Sequence, residues 1–185
     1  MKDRRRRQKE GTVQNATVII PNYNGIRFIK ECLEALLAQD IPSSEYHVIV
    51  VDNGSTDAGR ELIEYAFPQV SLIALPSNTG FCHAVNVGIL AAKTPYVILL
   101  NNDTKVHPRF VSALCGALDA RPDAFSVSAR MRMWDRPDLL DDAGDRYCVL
   151  GWAYARGKGQ AATAYQSPAE IFSACGGAAI YRKSV

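Results

Sequence analysis

The sequence predicts an α/β protein built around a mostly parallel central sheet. Short β-branched runs such as His47–Val51 alternate with segments whose apolar residues recur at helical spacing. The runs are almost wholly apolar, as expected for strands that are buried on both faces of a parallel sheet. The alternation continues as far as Ala120, which is the order that parallel βαβ units require.

Each element follows from a local pattern. The first strand is predicted over Ala16–Ile20, and the next helix over Arg27–Gln39, where six apolar residues share one helical face. The later strands are His47–Val51, Val70–Leu75 and Tyr96–Leu100, and the later helices run from a Ser55-Thr56-Asp57 cap to Ala66, over Cys82–Ala92 and over Pro108–Ala120. From Arg121 onward, charged and Gly-rich segments predict loops and mixed strands added to the same domain.

Composition excludes several classes of protein. The chain has 185 residues, 48% of them hydrophobic, which is enough for one domain with a sizeable core and argues against general disorder. The longest apolar runs are far shorter than the ~20 residues that span a bilayer. Met1–Glu10 is charged and does not resemble a secretory signal. Five irregularly spaced cysteines without a CxxC pair favour buried free thiols, and hence a cytoplasmic location.

Positive charge is concentrated at the N-terminus. Six of the 21 Lys and Arg residues lie in the first ten positions, together with two of the 19 acids. The remainder has 15 basic and 17 acidic residues, so it lacks the basic face that binds nucleic acid. We expect residues 1–15 to form a disordered basic tail and residues 16–185 the domain. The more specific alternative is that the tail contacts anionic lipid at the inner face of the membrane.

Polar turn residues follow all four predicted strands. They are Pro21 to Gly25, Asp52 to Asp57, Asn78 to Phe81, and Asn101 to Thr104. Parallel sheets bind ligands at the carboxyl ends of their strands, so these segments are expected to share one rim. Carboxylates there could accept from a base or ribose and hold Mg²⁺ or Mn²⁺ on a diphosphate. Neither a GxxxxGK[ST] loop nor a GxGxxG turn after the first strand is present, which disfavours P-loop and dinucleotide-binding folds.

The ordered motifs PNYN, VVDNGSTD, NTGFCHAVNVGI and ILLNNDT resemble those of the family 2 glycosyltransferases, which have the GT-A fold, a Rossmann-like sandwich. The resemblance covers Ala16 to Val185, and the residues of the motifs are similar to those of a bacterial rhamnosyltransferase-like subgroup. It implies an inverting transfer of a sugar from a nucleotide-diphospho-sugar, dTDP- or UDP-linked and including dTDP-rhamnose. The acceptor would be a saccharide or a lipid-linked molecule in cell-envelope polysaccharide synthesis.

The resemblance also implies roles for individual residues. Tyr23 would pack on the nucleotide base, Asp52 would bond the base imide or the ribose, and Asp103 would bind the divalent cation. The whole implied donor-binding set is Pro21, Tyr23, Asn24, Asp52, Asn53, Gly80, Phe81, Asn101 and Asn102. Asn101 stands where the family carries the first acid of its DxD motif, so metal binding is expected to be weak until the donor diphosphate arrives.

The catalytic base is not identified. In the family it lies in an acidic pair downstream of the GGAAIYR-like segment, so it is expected beyond Val185. The C-terminal part of the fold is therefore expected to be truncated, and this chain to be a donor-binding portion. Asp142 and Asp145 are the remaining candidates, although the DDAGD segment around them is typical of a solvated loop.

Several alternatives stay open. His83 could face donor phosphate, His107 could be a second metal ligand, and Trp134 or Trp152 could stack on a sugar, although ordinary packing explains each. A nucleotidyltransferase is disfavoured because the segment after the first strand has few Gly and basic residues to hold a triphosphate. A non-catalytic nucleotide-sugar-binding module is the third function that the sequence permits.

Overall fold

The computed structural model describes residues 15–184, and within them strands and helices alternate as far as Asp119. This part comprises β1 (Ala16–Asn22), α1 (Ile29–Leu37), β2 (Tyr46–Asp52), α2 (Gly59–Ala66), β3 (Ser71–Ala74), α3 (Phe81–Ala91), β4 (Tyr96–Leu100) and α4 (Phe110–Asp119). The predicted α/β class, with a mostly parallel central sheet, is confirmed.

The following segment contains only short strands. They are β5 (Ser126–Ser128), β6 (Met131–Arg132), β7 (Leu140–Asp142), β8 (Asp145–Tyr147), β9 (Ala153–Ala155) and β10 (Ala178–Arg182). β10 and β5 extend the main sheet in antiparallel orientation, while β6 with β7 and β8 with β9 form two small two-stranded sheets. Mixed strands after Arg121 are therefore confirmed.

The main sheet has the order β3-β2-β1-β4-β10-β5. β1 pairs with β2 along its whole length, to Asn22 opposite Asp52, but its pairing with β4 ends at Ile19 opposite Leu99. Pro21 lies beyond that last pair, so its missing N–H removes no bond to β4. The strand order reverses between β1 and β4, and the two strands separate there, which leaves a crevice at their carboxyl ends.

Alternating residues of β1 supply both faces of the core. Val18 and Ile20 are fully buried with Leu33 of α1, while Ile19 faces the opposite side with Ala84 of α3. α4 and α2 add to the first cluster. The sheet is thus covered on both faces, which explains why its strands are apolar throughout.

Two predicted boundaries differ in an informative way. α2 begins at Gly59, whose N–H donates to Asp57 Oδ1, so Asp57 caps this end while Ser55 and Thr56 are bonded to Asp52 and Asn24. Asn15, assigned to the tail, extends the hydrogen bonding of the central strand β1: its N–H donates to the Glu45 carbonyl and its carbonyl accepts from the Tyr96 N–H. The rest of the predicted basic tail, residues 1–14, lies outside the described residues.

Two other expectations need correction. All five cysteines are free, but only Cys32 is fully buried and Cys82 is exposed. The DDAGD segment is not a solvated loop, because it forms β7 and β8 and buries Asp142. Among residues 15–184 no helix is long and apolar enough to cross a membrane.

Candidate functional site

A cleft of about 330 Å³ lies at the carboxyl ends of β1 and β4, at the reversal of strand order. Its lining residues are Pro21, Asn22, Tyr23, Asn53, Asn78, Phe81, Asn101, Asn102 and Asp103. Segments that are far apart in the chain meet here because each directly follows a strand of the parallel part of the sheet or opens α3. The sequence-predicted rim is therefore a continuous surface.

Seven of the ten residues predicted to contact nucleotide or metal line this cleft; Asn24, Asp52 and Gly80 do not. Two aromatic rings stand at its mouth, since Tyr23 is 48% and Phe81 is 53% exposed. Exposed rings of this kind can pack on a flat base or on the apolar face of a sugar. The role of each lining residue toward a nucleotide stays a prediction.

Asp52 lies behind the lining and is 1% exposed. Its Oδ1 accepts from Asn22 Nδ2 at 3.1 Å and from the Ser55 hydroxyl, and its Oδ2 accepts from the Ser55 N–H at 3.2 Å. Direct contact with a base or ribose, as predicted for Asp52, would require Asn22 and Ser55 to move. In this structure the carboxylate instead holds the β1 and β2 ends together.

Asn24 also joins the two strand ends rather than lining the cleft. It has a positive φ of 50°, and its Oδ1 accepts from the Thr56 N–H at 2.8 Å. Its own N–H donates to the Ser55 hydroxyl. Asn tolerates this left-handed backbone better than most residues, which accounts for its presence at the turn.

A second amide cluster shapes the entry to α3. Asn53 Nδ2 donates to Asn78 Oδ1 at 3.1 Å and to the Gly80 carbonyl at 3.2 Å, and Asn53 Oδ1 accepts from the Thr79 N–H. Gly80 has φ +87° and ψ 158°, a conformation open essentially to glycine alone. The requirement for glycine at position 80 is thus conformational, since a Cβ there would contact nothing within 4 Å.

Within residues 15–184, Asp103 is the only formally charged residue among those that line the cleft. Asn101 and Asn102 place amide groups beside it, and the N-terminus of α3, which begins at Phe81, also meets the cleft. One carboxylate with neighbouring amide oxygens suits a hard divalent cation that completes its shell with phosphate and water. Residues 15–184 contain no cluster of three His, Cys, Asp or Glu side chains that would hold a metal alone.

The other candidates lie elsewhere. His107 Nδ1 accepts from the Arg109 N–H at the start of α4, and neither His107 nor the exposed His83 lines the cleft. Trp134 packs edge-to-face on Phe28, with ring centroids 6.2 Å apart. Trp152 is exposed between β8 and β9.

Neither candidate base faces the cleft. Asp142 is 3% exposed, its Oδ1 accepts from the Gly144 N–H, and its Oδ2 has no partner within residues 15–184. Burial raises the pKa of Asp142, and the charge of Asp145 acts in the same direction, whereas the Gly144 N–H opposes the rise. Asp145 accepts from the Ser173 hydroxyl and lines a separate cleft of about 330 Å³ beside β8 and β9.

Two lining residues, Asn22 and Asn78, are not among the predicted set. Asn22 is the last residue of β1 and Asn78 lies in the polar segment after β3, and both belong to the polar segments that follow the predicted strands, so the signal is present in the sequence. The resemblance points to their neighbours instead. Only the packing shows that Asn22 is buried and joined to both Asp52 and Asn102.

The fold and the cleft indicate an α/β domain of the class that binds nucleotide-sugars. Comparison with known proteins agrees with this class. The sequence model of Glycosyl transferase family 2 matches residues 17–185. The chain therefore belongs to glycosyl transferase family 2.

Individual relatives agree with this assignment. The glycosyltransferase GlyG of Streptococcus pneumoniae is 31% identical over 72% of this chain and 45% of its own length. The succinoglycan biosynthesis protein ExoO of Rhizobium meliloti is 35% identical over 69% of this chain and 39% of its own length. The chain spans only 13% to 45% of the first curated relatives that it matches.

Solved structures show the same architecture. Staphylococcus aureus TarS (residues 1–349) in complex with UDP has a TM-score of 0.59 and 25% identity, covering 64% of this chain and 36% of that one. The mannosyltransferase PcManGT of Pyrobaculum calidifontis, in complex with GDP-Man and Mn²⁺, has a TM-score of 0.58 and 26% identity, covering 69% and 41%. The central sheet and its helices are thus those of a GT-A fold.

Proposed function

We propose that this chain binds a nucleotide-diphospho-sugar in the cleft between β1 and β4, as the donor-binding part of an inverting glycosyltransferase. The acceptor would be a saccharide or a lipid-linked molecule in cell-envelope polysaccharide synthesis. The observation that carries the proposal is the composition of the cleft: amides and two exposed aromatic rings surround a single carboxylate, Asp103. Membership of glycosyl transferase family 2 supports the same activity.

The lining residues suit the parts of such a donor. Tyr23 and Phe81 offer faces for the base and the sugar, while the amides of Asn53 and Asn78 can exchange hydrogen bonds with ribose or sugar hydroxyls. Among residues 15–184, none of those that line the cleft is Lys or Arg. A cation held with the help of Asp103 would offset the negative charge of the phosphates.

The divalent cation, when bound, would neutralise the leaving nucleotide diphosphate, where negative charge develops during transfer. Asp103 would supply its one charged protein ligand, with Asn101 or Asn102 offering uncharged oxygen. These residues also orient the phosphate side of the donor against the N-terminus of α3. Activation of the acceptor hydroxyl would require a further carboxylate, which neither Asp142 nor Asp145 supplies at this cleft.

The proposed donor can carry one of several nucleotides. dTDP-rhamnose follows from the subgroup resemblance alone, whereas TarS has been solved with UDP and UDP-GlcNAc, and PcManGT with GDP-Man.

We also propose a cytoplasmic location, with a peripheral membrane contact through the basic N-terminal segment. Binding of the protein to vesicles containing anionic lipid, compared with a variant in which Arg4 to Arg7 are replaced by Ser, tests that contact.

Calorimetric titration tests the proposed function. UDP, dTDP, GDP and UTP are titrated separately into the protein with Mn²⁺. Preference for a diphosphate supports the proposal and identifies the base, whereas preference for UTP over UDP favours a nucleotidyltransferase. Release of the sugar from the matching donor, followed by mass spectrometry, separates an enzyme from a non-catalytic binding module. Failure of all four nucleotides to bind would contradict the proposal.

A further inference from the structure

A chain of three side chains links the end of β2 to the cleft. It begins at the carboxyl group of Asp52, whose two oxygens accept from the hydroxyl and the N–H of Ser55. Asn22, also 1% exposed, turns its NH₂ group toward the same carboxyl group, and Nδ2 lies 3.1 Å from Asp52 Oδ1. This leaves Asn22 Oδ1 as an acceptor on the opposite branch of the same amide.

The orientation of Asn22 determines that of Asn102. Only an NH₂ group can face Asn22 Oδ1, and Asn102 Nδ2 lies 2.8 Å from it. Because the two branches of an amide diverge from one carbon, the carbonyl Oδ1 of Asn102 is directed away from Asn22. That oxygen has no hydrogen-bond partner in the part of the chain that the structure describes, and Asn102 lines the cleft next to Asp103.

We propose that Asn22 is a positioning residue of the cleft. Its NH₂ group donates to Asp52, so its carbonyl oxygen accepts from the NH₂ group of Asn102. The carbonyl oxygen of Asn102 therefore stays available to a group bound beside Asp103. An uncharged oxygen at this position can accept from a hydroxyl or N–H donor or ligate a hard cation. Use of this oxygen by a nucleotide diphosphate rests on the proposed function, whereas the orientation of the amide does not.

Gly25 supplies the space for this arrangement. A Cβ at position 25 would lie closer than 3.0 Å to both Asn102 Nδ2 and Asn22 Oδ1, the two atoms of the central hydrogen bond. Gly25 is not among the residues with positive φ, so alanine can adopt its backbone conformation. Gly25→Ala therefore disturbs the amide pair specifically. Gly116, in α4, has nothing within 4 Å of its Cβ position and provides the matched control.

Hydrogen exchange of side-chain amides tests the orientation without any ligand. In ¹⁵N-labelled protein, the Asn102 NH₂ resonances are assigned by their loss in Asn102→Ala. We expect them to exchange about three- to tenfold more slowly than those of the exposed Asn86, and to lose this protection in Asn22→Ala and Gly25→Ala but not in Gly116→Ala. Exchange of Asn102 at the rate of Asn86 in the wild-type protein would overturn the proposal.

Binding tests the consequence. Mn²⁺ with UDP is titrated into the wild-type protein, Gly25→Ala and Gly116→Ala, with the better nucleotide replacing UDP if another binds more tightly. We expect Gly25→Ala to weaken binding about tenfold and Gly116→Ala to leave it unchanged. Equal affinity of Gly25→Ala, in a protein whose Asn102 has lost protection, would overturn the positioning role. Absence of nucleotide binding by the wild-type protein would instead count against the proposed function.

Because removal of Asn22 leaves a buried carboxylate without its amide donor, Asn22→Ala could fail to fold. Gly25→Ala retains every hydrogen-bonding group, so it keeps the proposal testable in that case. Near-ultraviolet circular dichroism of each variant identifies the folded ones before exchange or binding is measured.

Discussion

Five asparagines line the cleft, and a single carboxylate accompanies them. An asparagine amide can donate and accept at once, so such residues can be joined into networks that fix their own orientation. A diphosphate, however, brings negative charge that amides cannot neutralise. At the scale of single residues, the proposed function therefore assigns to Asp103 the binding of the cation that would balance the charge of a donor.

Replacement of Asp142 by Asn is expected to stabilise the protein at neutral pH. Burial raises the pKa of Asp142 above 3.8, so ionisation of this carboxyl opposes folding. The penalty is absent when the carboxyl is neutral in both states and grows as the pH rises through the raised pKa. The amide introduced by Asp142→Asn would retain an acceptor for the Gly144 N–H. We expect Asp142→Asn to be more stable than the wild-type protein at pH 7 in urea unfolding.

The pH dependence distinguishes this cause from simple repacking. The stabilisation by Asp142→Asn should shrink toward zero at about pH 3, where the carboxyl is neutral in the folded and the unfolded protein. Asp135→Asn, at an exposed position, serves as the control and should show no such trend. A gain from Asp142→Asn that is equal at both pH values, or a loss at pH 7, would show that the buried charge is not the cause.

The five thiols are expected to differ in reactivity. Burial raises the pKa of Cys32 to about 11, so almost none of it is thiolate near neutral pH, while Cys82 is exposed at the start of α3. With iodoacetamide at about pH 7.5, mass spectrometry should find Cys82 alkylated well before Cys32. Unfolding in urea should abolish the difference. Equally fast alkylation of both in the folded protein would mean that the α1 side of the core is open.

At the scale of elements, α3 connects the cleft to the core. Its first residue, Phe81, lines the cleft, and Gly88 near its other end packs directly on β1 and β2. A Cβ at Gly88 would fall well inside van der Waals contact of Ile19 Cγ2 and 3.2 Å from Val51 Cγ2. The absence of a side chain at position 88 therefore determines how closely the helix approaches the sheet.

Gly88→Ala is expected to destabilise the protein although alanine is the better helix former. Overpacking against Ile19 costs about 1–3 kcal/mol, which exceeds the gain of about 1 kcal/mol in helix propensity. Gly116→Ala, which meets no atoms within 4 Å, should instead gain up to about 1 kcal/mol. Urea unfolding of both variants measures the contrast. Stabilisation by Gly88→Ala would show that α3 is not packed this closely.

Much of the fold can be predicted because burial on both faces of the sheet leaves a clear apolar signature. The predicted and observed bounds of β4 are the same, Tyr96–Leu100, and those of β1, α1 and β2 differ only at their ends. The polar loops are harder to predict. α2 starts after Ser55 and Thr56 because both residues are hydrogen-bonded to Asn24 in the loop after β1, a contact that no local capping pattern reveals.

The candidate site, like the fold, could be predicted from the sequence only in part. Position along a strand predicts that Tyr23 and Asp103 share a rim, because parallel strands end on one side of the sheet. Whether a side chain enters the cleft or supports it from behind depends on packing between distant segments. Asp52 and Asn22 have these different roles, and no local pattern distinguishes them. Asp142 likewise lies in a segment that is held by distant residues, since the N–H of Ala143 donates to the Arg156 carbonyl and the N–H of Asp145 to the Ser173 carbonyl.

At the scale of the whole molecule, the reversal of strand order between β1 and β4 determines where chemistry can take place. One side of the crevice carries Asn22, whose amide donates to Asp52, and the other carries Asn101 to Asp103. Under the proposed function, a nucleotide diphosphate binds across this crevice only together with a divalent cation. Cation dependence of nucleotide binding is therefore the property to measure.

The most direct test is the affinity for the preferred nucleoside diphosphate with Mn²⁺ and with EDTA, in the wild-type protein, Asp103→Asn and the exposed control Asp135→Asn. Asp103→Asn preserves shape and removes the charge. We predict that binding requires Mn²⁺, weakens at least about tenfold in Asp103→Asn and is unchanged in Asp135→Asn. Binding of equal strength in EDTA, or undiminished binding by Asp103→Asn, would contradict the account.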